Sequence, residues 1–247
     1  MPDPSVWKSR LYESYVSSGQ AGDTVVHQAE EMFRPRRAYL MQIIAKHLPS
    51  DKQVRILDLG CGHGAFLYFL TKAGYQNICG IDVSAEQIEV AHRLGITGAR
   101  LGKLEDFLTE QGDGCVDVVL AMDIFEHLTA QELFSALDGI RRVLTPHGCC
   151  IAHVPNGEGL YGMRIRYGDM THERAFTPSS ARQVFRTVGF NDVQCYEDKP
   201  VIHGITSLVR RIVWDVGTLY DRVLLIAETG AMKTAIFSQN MIIKASL

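Results

Sequence analysis

The first candidate for chemistry is a glycine-rich segment, Asp58-Leu-Gly-Cys-Gly-His-Gly, which follows an apolar run. Glycines at positions 60, 62 and 64 allow the backbone to turn sharply and to approach a ligand closely, because no Cβ stands in the way. The helix predicted to follow offers its first N–H groups to an anion. Asp82 ends the next predicted strand, where a carboxylate can accept hydrogen bonds from both hydroxyls of a ribose. The pattern therefore predicts a nucleotide-like cofactor over this turn.

Two cofactor classes use such a turn, and the residues around it distinguish them. A dinucleotide site prefers the third glycine of G-x-G-x-x-G, but Ala65 stands at that place. Asp58 lies two residues before Gly60, where a carboxylate would repel a pyrophosphate and attract an ammonium group. These residues favour S-adenosylmethionine (SAM), whose amino-acid end carries an ammonium. An NAD-dependent oxidoreductase is the less favoured alternative.

A second candidate cluster follows the fourth predicted strand. Asp123, Glu126 and His127 have the spacing i, i+3 and i+4, which places their side chains on one face of a helical turn. His172 lies in the long segment 156–177 after the fifth strand, where α/β enzymes place groups that contact substrate. The structural alternative is that Glu126 and His127 only pack the start of the next helix. His63 and His153 are interpreted as packing residues.

The elements that must position these residues follow from hydrophobic patterning. Short β-branched runs alternate with amphipathic stretches of helical length from residue 54 onward, which is typical of a parallel sheet covered by crossover helices. Seven strands are predicted, at residues 54–60, 77–83, 98–102, 115–123, 148–154, 191–198 and 235–245. Helices are predicted at residues 5–17, 24–48 with an interruption at Pro35, 64–74, 85–94, 104–110, 130–144 and 179–188.

Composition narrows the partners and the compartment. The 247 residues carry a formal net charge of -3 and contain no long block of one sign, so nucleic acid is not an expected partner. The six cysteines form no C-x-x-C pair, which indicates reduced thiols and a cytoplasmic location. Residues 1–20 lack the apolar stretch of a signal peptide, and no run reaches the ~18 apolar residues of a transmembrane helix.

One stretch is more apolar than its place in the chain explains. Residues 205–226 repeat apolar side chains at helical spacing between the sixth and seventh predicted strands. Such a helix must cover something: the protein's own core, a second copy in a homodimer, an acceptor with a lipid tail, or a membrane surface as a peripheral contact. The pattern leaves these alternatives open.

The segments D-L-G-C-G-H-G, G-I-D-V-S and V-D-V-V-L-A-M-D-I-F-E-H-L, in this order, resemble the class I SAM-dependent methyltransferases over about residues 54–198. The resemblance implies a Rossmann-like three-layer α/β sandwich whose seven-stranded sheet is mostly parallel with an antiparallel last strand. The cofactor-binding residues that it implies are Asp58, Gly60, Cys61, Gly62, Asp82, Val83, Leu104, Glu105 and Met122.

The second cluster resembles a subgroup that contains ubiquinone-pathway O-methyltransferases, small-RNA 2′-O-methyltransferases and methyltransferases of bacterial glycan pathways. In some members an acid-x-x-Glu-His segment and a later His bind a divalent metal that holds the hydroxyl being methylated. The resemblance implies that Asp123, Glu126, His127 and His172 are catalytic and hold Mg²⁺, Mn²⁺ or Zn²⁺, although Asp123 replaces the usual Glu. Without a metal, His127 or His172 would act as a general base.

The sequence therefore predicts a SAM-dependent methyltransferase that acts on a hydroxyl of a small or lipid-linked molecule, with a sugar as the first candidate. A quinone-type phenol, a carbon or nitrogen acceptor, and a SAM-binding protein without turnover are the alternatives. The chain is predicted to be one domain, 1–247, with a helical cap at 1–50, a SAM-binding core at 54–198, an apolar helical insertion at 200–234 and a last strand at 235–245.

Overall fold

The computed structural model describes Trp7, Lys8, Leu11 and residues 28–230 and 235–247. Of the helix predicted at 5–17, the structure describes Trp7, Lys8 and Leu11, which are helical. The rest of that helix and the start of the one predicted at 24–48 lie outside the described residues. The helices are α1 (Ala29–Phe33), α2 (Arg37–His47), α3 (Ala65–Lys72), α4 (Ala85–Arg93), α5 (Leu104–Glu110), α6 (Ala130–Val143), α7 (Gly162–Arg166), α8 (Pro178–Thr187) and α9 (Ile205–Thr229). The strands are β1 (Arg55–Leu59), β2 (Asn77–Asp82), β3 (Ala99–Leu101), β4 (Val116–Met122), β5 (Leu144–Pro155), β6 (Asp192–Glu197) and β7 (Asn240–Ser246).

The seven strands form one sheet in the order β3-β2-β1-β4-β5-β7-β6. The β1–β2, β1–β4, β2–β3 and β4–β5 pairs are parallel, and β7 is antiparallel to both β5 and β6. This confirms the predicted mostly parallel sheet with an antiparallel last strand. The strand order reverses between β1 and β4, and ligands of open α/β sheets bind beside the carboxyl ends of the strands at such a reversal.

Apolar side chains on both faces of the sheet bury it between two layers of helices. One cluster joins Leu57 of β1 to Leu137 of α6 and Phe185 of α8. The other joins Ile56 of β1 to Ile43 of α2 and Leu67 of α3. Successive residues of a strand point to opposite faces, so Ile56 and Leu57 each anchor one layer. The arrangement confirms the Rossmann-like three-layer sandwich.

The helix boundaries follow local capping chemistry. The Thr129 side chain accepts a hydrogen bond from the Glu132 N–H, and Glu132 Oε2 accepts one from the Thr129 N–H at 2.7 Å, so the two residues form a capping box at the start of α6. Pro35 lies in a 3₁₀ turn, Arg34–Arg36, that separates α1 from α2. The predicted interruption at Pro35 is therefore confirmed, because proline lacks the N–H that a continuous helix needs.

Two predicted strand boundaries are wrong. Strand β5 begins at Leu144, four residues before the predicted start, because the backbone of Leu144 already pairs with Val116 of β4. Strand β7 begins at Asn240 rather than at residue 235. Ile236 and Phe237 are buried without joining the sheet, so their apolar character reflects packing and not pairing.

The apolar stretch after β6 forms α9, a helix of 25 residues. Its large apolar side chains are exposed, so the alternative that they fill the protein's own core is wrong. Within the described ranges, no helix is both long and apolar enough to span a membrane.

Candidate active site

The glycine turn connects the end of β1 to the start of α3 at the point where the strand order reverses. Gly60 and Gly62 have φ angles of +71° and +55°, which side chains rarely adopt. A Cβ on Gly60 would lie 1.9 Å from Cδ1 of Ile124, the second residue after β4. Glycine is therefore required here for backbone conformation and for close packing, and the turn lies directly against the segment that carries Glu126 and His127.

Asp82 fastens this turn to the end of β2. Its Oδ2 accepts a hydrogen bond from the Gly62 N–H at 2.9 Å, and its Oδ1 accepts one from the Ser84 N–H at 2.8 Å. Burial raises the pKa of Asp82, and hydrogen bonds from the backbone N–H groups of Ser84, Gly62 and Val83 oppose this shift by favouring the carboxylate. The predicted ribose ligand is thus also a structural anchor of the turn.

Asp58 is almost completely buried, and its Oδ2 has no hydrogen-bond partner among the described residues. Burial, followed by the nearby charge of Asp82, raises the pKa of Asp58 to about 8. A buried carboxylate without a donor is costly, and a positively charged group would relieve that cost. The unpartnered oxygen therefore fits the ammonium of an amino-acid moiety. The glycine turn alone would not distinguish such a ligand from other nucleotide-like cofactors.

The other predicted cofactor residues lie at or just after the carboxyl ends of neighbouring parallel strands, at the same edge of the sheet. Val83 and Glu105 are exposed, Leu104 and Met122 are half-buried, and Cys61 is buried. Burial, with the nearby charge of Asp58 as a second cause, raises the pKa of the Cys61 thiol, which keeps it protonated. Cys61 therefore lies at the turn as a packing residue, and Val83 offers an apolar surface beside Asp82.

His63, which lies within the turn between Gly62 and Gly64, is a packing residue as predicted. Its ring stacks on Phe33 with 5.6 Å between the ring centroids, and its Nδ1 lies 3.2 Å from Oε1 of Gln87. Burial lowers the pKa of His63, so the ring is neutral at pH 7.

Three of the four predicted metal ligands meet at the end of β4. Glu126 and His127 lie in a 3₁₀ turn, Phe125–His127, and His172 approaches from the long segment after β5. One ligand atom from each of these residues lies within 4.8 Å of those of the other two. The rings of His127 and His172 meet at 68°, with 4.6 Å between their centroids. The spacing of the sequence motif thus becomes a compact carboxylate–imidazole cluster.

The hydrogen bonds of His127 assign its tautomer. Thr171 Oγ1 donates to Oδ1 of Asp169 at 2.6 Å, so it accepts from Nδ1–H of His127 at 2.7 Å. Burial, and then the proximity of His172, lowers the pKa of His127 to about 4. The ring is therefore neutral at pH 7, with the lone pair on Nε2.

His172 has the same tautomer for a different reason. Its Nδ1 lies 2.9 Å from the carbonyl oxygen of Ile165, and a carbonyl can only accept, so Nδ1 carries the proton. Metal-binding histidines in proteins usually donate the other ring N–H to a carbonyl, a carboxylate or a similar acceptor. In each imidazole Nδ1 is thus the hydrogen-bond donor, and Nε2 is the nitrogen that would bind a metal or accept a proton.

Glu126 completes the cluster with a carboxyl group that is almost completely buried. Its Oε2 has no hydrogen-bond partner among the described residues. Burial, and then the charge of Asp123, raises the pKa of Glu126 well above its usual value. A cation among Glu126, His127 and His172 would favour the ionised carboxylate, so the donor set fits a divalent metal.

Asp123, the fourth predicted ligand, has another partner. Its Oδ1 lies 2.5 Å from Nδ1 of His153, and Nε2 of His153 lies 3.2 Å from Oδ2 of Asp198. Burial would lower the pKa of His153, but the two carboxylates outweigh it and raise that pKa well above its usual value. His153 is therefore buried in its strand, as expected from the sequence, and it is also the ion-pair partner of two carboxylates, which the sequence did not predict.

The sequence contained one signal for this pairing. His153 is an ionisable residue in the apolar run of β5 and pairs in the sheet with Met122, the neighbour of Asp123. Asp123 itself has a φ of +58°, which is unusual for a residue with a side chain and turns the chain sharply after β4. Asp198, Asp169 and Thr171 gave no comparable signal, because their contacts depend on how distant segments fold together.

The segment that carries His172 is fastened at both ends. Phe176 N–H donates to the Pro155 carbonyl at 2.9 Å, and Gly157 N–H donates to the Phe176 carbonyl at 2.7 Å, so the segment leaves and returns at one point of the sheet. Glu173 N–H donates to the backbone carbonyl of Glu126 at 2.6 Å. Lys8 also reaches this region, because its Nζ lies 2.7 Å from Glu173 Oε1.

Two adjoining cavities lie at this edge. One, of about 520 Å³, is lined by Asp123, Glu126, His127, His153, Arg164, Ile165, Gly168, Asp169, His172, Gln239 and Asn240. The other, of about 390 Å³, lies between α2, α9 and the segment before α7, with aromatic walls that include Tyr39, Tyr161, Trp214 and Phe237. Gln239 lines both cavities, so an acceptor with a polar and an apolar part can extend from one into the other.

The strand order, the glycine turn and the acidic ends of β1 and β2 together define a Rossmann-like methyltransferase fold. Comparison with known proteins agrees: residues 56–148 match the methyltransferase domain family. In structure the chain is similar to a SAM-dependent methyltransferase from Archaeoglobus fulgidus, with a TM-score of 0.65, 23% identity, and coverage of 88% of this chain and 97% of that one. The resemblance to the class I SAM-dependent methyltransferases is thereby confirmed.

In sequence the chain is similar to a ubiquinone biosynthesis O-methyltransferase from Chelativorans sp. (strain BNC1), with 32% identity over 128 residues that cover 47% of this chain and 49% of that protein. It is also similar to EEF1A lysine methyltransferase 2 from Homo sapiens, with 40% identity over 74 residues that cover 28% of this chain and 30% of that protein. The chain thus spans about half or less of the length of these relatives.

Proposed function

We propose that this protein transfers a methyl group from SAM to a hydroxyl oxygen of a small molecule. The observation that carries the proposal is the meeting of Glu126, His127 and His172 beside the glycine turn. The cofactor turn and a cluster able to bind or deprotonate a hydroxyl follow adjacent strands, β1 and β4, so the acceptor can lie next to the transferable methyl group. The division of the chain into a cap, a core and an insertion belongs to the same proposal.

In this proposal the end of β1 holds the methionine part of SAM. The carboxylate of Asp58 pairs with its ammonium, and Asp82 accepts hydrogen bonds from the ribose hydroxyls. Asp82 already accepts two backbone hydrogen bonds, and a carboxylate has lone pairs for further donors. Val83, Leu104, Glu105 and Met122 would contact the ribose and the adenine, and Gly60, Cys61 and Gly62 supply the turn.

Methyl transfer is an in-line displacement, so acceptor and cofactor must be held in one line. The acceptor oxygen forms a bond to the methyl carbon, the carbon–sulfur bond breaks with its electron pair on sulfur, and the hydroxyl proton passes to a base. Nε2 of His127 can take that proton, because the ring is neutral with its lone pair on that atom. Nε2 of His172 is the alternative base, since its Nδ1 donates to the Ile165 carbonyl. Asp169, through Thr171, would stabilise a proton on His127.

We infer that Glu126, His127 and His172 also hold a divalent metal. Their mixed oxygen and nitrogen donors suit Mn²⁺ or Zn²⁺ at least as well as Mg²⁺, which prefers oxygen. When bound, such an ion would supply a Lewis acid that lowers the pKa of the acceptor hydroxyl. Asp123 does not belong to this donor set, because it pairs with His153, and its proposed role is to keep a negative charge in the cleft.

The acceptor hydroxyl could belong to a phenol or a sugar, and a nitrogen acceptor is the alternative to a hydroxyl. The name of the Chelativorans relative supports a quinone-type phenol, and the comparisons give no support to the sugar expected from the sequence. The lysine methyltransferase relative keeps a nitrogen acceptor as the second candidate. The aromatic walls of the 390 Å³ cavity favour the phenol, because an aromatic ring packs well against aromatic side chains.

The test is methyl transfer from radiolabelled SAM to a matched panel of acceptors: a catechol with an apolar tail, the same compound with both hydroxyls blocked, a sugar and a lysine peptide. We expect label in the catechol and none in the blocked compound. Label in the peptide alone would contradict the hydroxyl acceptor. Binding of NAD with no binding of SAM in a titration would contradict the cofactor.

A further inference from the structure

Helix α9 is amphipathic with its polar side toward the protein. Its buried and half-buried positions recur every three or four residues and form the inward side: Ser207, Arg211, Trp214, Thr218, Asp221, Arg222 and Leu225. The opposite side carries eleven exposed apolar residues: Ile205, Leu208, Val209, Ile212, Val213, Val216, Leu219, Tyr220, Val223, Leu224 and Ile226. We name these eleven residues the outer face. We propose that the outer face binds the surface of a lipid bilayer.

The orientation of α9 is fixed by polar contacts with the protein. Arg222 Nη2 lies 2.6 Å from Oε1 of Glu197, and the Arg222 guanidinium also lies over the ring of Phe237. Lys199 Nζ lies 3.7 Å from Oδ1 of Asp215 and over the ring of Trp214. Rotating the outer face inward would break these pairs and bury unpaired charges. The apolar side chains therefore stay outward and need a partner outside the chain.

The width of the outer face favours a bilayer over a second copy of the chain. At 100° per residue, its eleven residues occupy a sector of roughly 160°, and the helix is about 37 Å long. No charged residue lies within that sector: Arg210, Asp215 and Glu228 lie outside it. Two helices that pack against each other cover a narrow seam, so a dimer through α9 alone would leave the flanks of the face exposed. A bilayer surface covers the full width at once.

A second segment, which borders the 390 Å³ cavity together with α9, has the composition of a membrane interface. Residues 160–167 read LYGMRIRY, with two arginines and no acid. Tyr161 and Tyr167 are 68% and 75% exposed, and the Arg166 guanidinium lies over the ring of Tyr167. Tyrosines favour the boundary between water and lipid, and arginines bind anionic headgroups. Leu160 and Tyr161 line the 390 Å³ cavity together with Arg210 and Trp214 of α9, so both apolar segments border one cavity.

The test is flotation of the full chain with vesicles of phosphatidylcholine alone and of phosphatidylcholine with one quarter phosphatidylglycerol. We expect binding to both, with at least threefold stronger binding to the anionic vesicles. Val213→Glu with Val216→Glu, at positions 67% and 64% exposed, should weaken binding at least tenfold. Val213→Leu with Val216→Leu should bind like the wild type. Phe134→Glu, which charges an exposed apolar residue on α6, should also bind like the wild type.

SAM binding, the thermal unfolding midpoint and the mass in solution are measured on the same proteins. They should not differ between the glutamate and leucine variants, so failure here is distinct from failure of the proposed methyl transfer. No flotation of the wild type with either vesicle would overturn the proposal. A wild-type dimer that the glutamates dissociate, without vesicle binding, would assign the outer face to a second copy instead.

Discussion

The cofactor side and the acceptor side of this site share one edge of the sheet but are built differently. The cofactor side is a continuous backbone turn after β1, fastened by Asp82. Asp58 is buried beside it, and its Oδ2 has no hydrogen-bond partner within the part of the chain that the structure describes. The acceptor side assembles side chains from the ends of β4 and β5 and from the segment 156–177. Its imidazoles all have assigned partners: Thr171 for His127, Ile165 for His172, and two carboxylates for His153.

Because of this difference, SAM binding and turnover should depend on different residues. A cofactor side made of backbone changes little when one side chain of the acceptor side is replaced. An acceptor side made of side chains loses its chemistry when any one of them is removed, because the remaining groups cannot move to substitute for it. Substitutions should therefore divide into those that abolish SAM binding and those that abolish turnover alone.

The largest expected effect is on turnover. Glu126→Gln and His172→Ala should each lower kcat at least ~100-fold, as expected for the loss of a general base or of a Lewis acid. Both residues are inferred metal ligands, so Mn²⁺ should bind both variants at least about tenfold more weakly than the wild type. Calorimetry on chelator-treated protein measures this affinity. His147→Ala is the control, since His147 is exposed at the start of β5, away from the cluster.

If turnover survives both substitutions, the side chains of the acceptor side have only a packing role. If Mn²⁺ binds neither the wild type nor the variants and chelator leaves full activity, the metal is excluded and His127 or His172 remains as the base. Loss of SAM binding in His172→Ala would contradict the separation of the two sides.

A smaller effect is expected from substitution of Asp58, which should raise the stability of the cofactor-free protein and weaken the binding of SAM. Its pKa is about 8 in the folded protein and near 3.8 when unfolded, so the folded state holds a proton that the unfolded state releases between these values. The stability of the cofactor-free protein should therefore fall as pH rises from about 4 to 8. Asp58→Asn removes this dependence, and it should stabilise the protein at pH 8 by ~1–3 kcal/mol while weakening SAM binding about tenfold.

Urea unfolding of the cofactor-free protein at pH 5.5 and pH 8.5 measures this effect. The control is Asp117→Asn, because Asp117 Oδ2 accepts a hydrogen bond from the Arg55 N–H at 2.8 Å and has a native partner to lose. That variant should not gain stability at either pH. A destabilised Asp58→Asn protein at pH 8.5 would indicate that Asp58 has a partner of its own.

The two sides also differ in how much of them the sequence reveals. The cofactor side depends on residues close together in the chain and on strand ends, so glycine spacing and strand patterning locate Asp58, Gly60 and Asp82. The acceptor side depends on pairings such as His153 with Asp123 and Thr171 with His127, which join residues 30 and 44 positions apart. Spacing found Glu126 and His127, but it could not show that Asp123 turns toward His153.

Helix α9 illustrates the same limit. Its periodicity predicted an amphipathic helix, and the structure has one. Which side faces the protein depends on Glu197, Lys199 and Phe237, which pack against Arg222, Asp215 and Trp214 only in the folded chain. Hydrophobic patterning assumes that apolar side chains face inward, and here polar contacts decide the orientation.

The most direct test of the separation between the cofactor side and the acceptor side is to measure SAM affinity by calorimetry in Asp82→Ala and His172→Ala. Asp82→Asn is measured with them, because its side chain keeps part of the hydrogen bonding to the backbone of the turn. Loss of the ribose hydrogen bonds to a charged group should weaken SAM binding ~100-fold in Asp82→Ala, and His172→Ala should stay within about threefold of the wild type. Near-normal SAM affinity in both Asp82 variants, with the thermal midpoints confirming that they fold, would contradict the assignment of this turn to the cofactor.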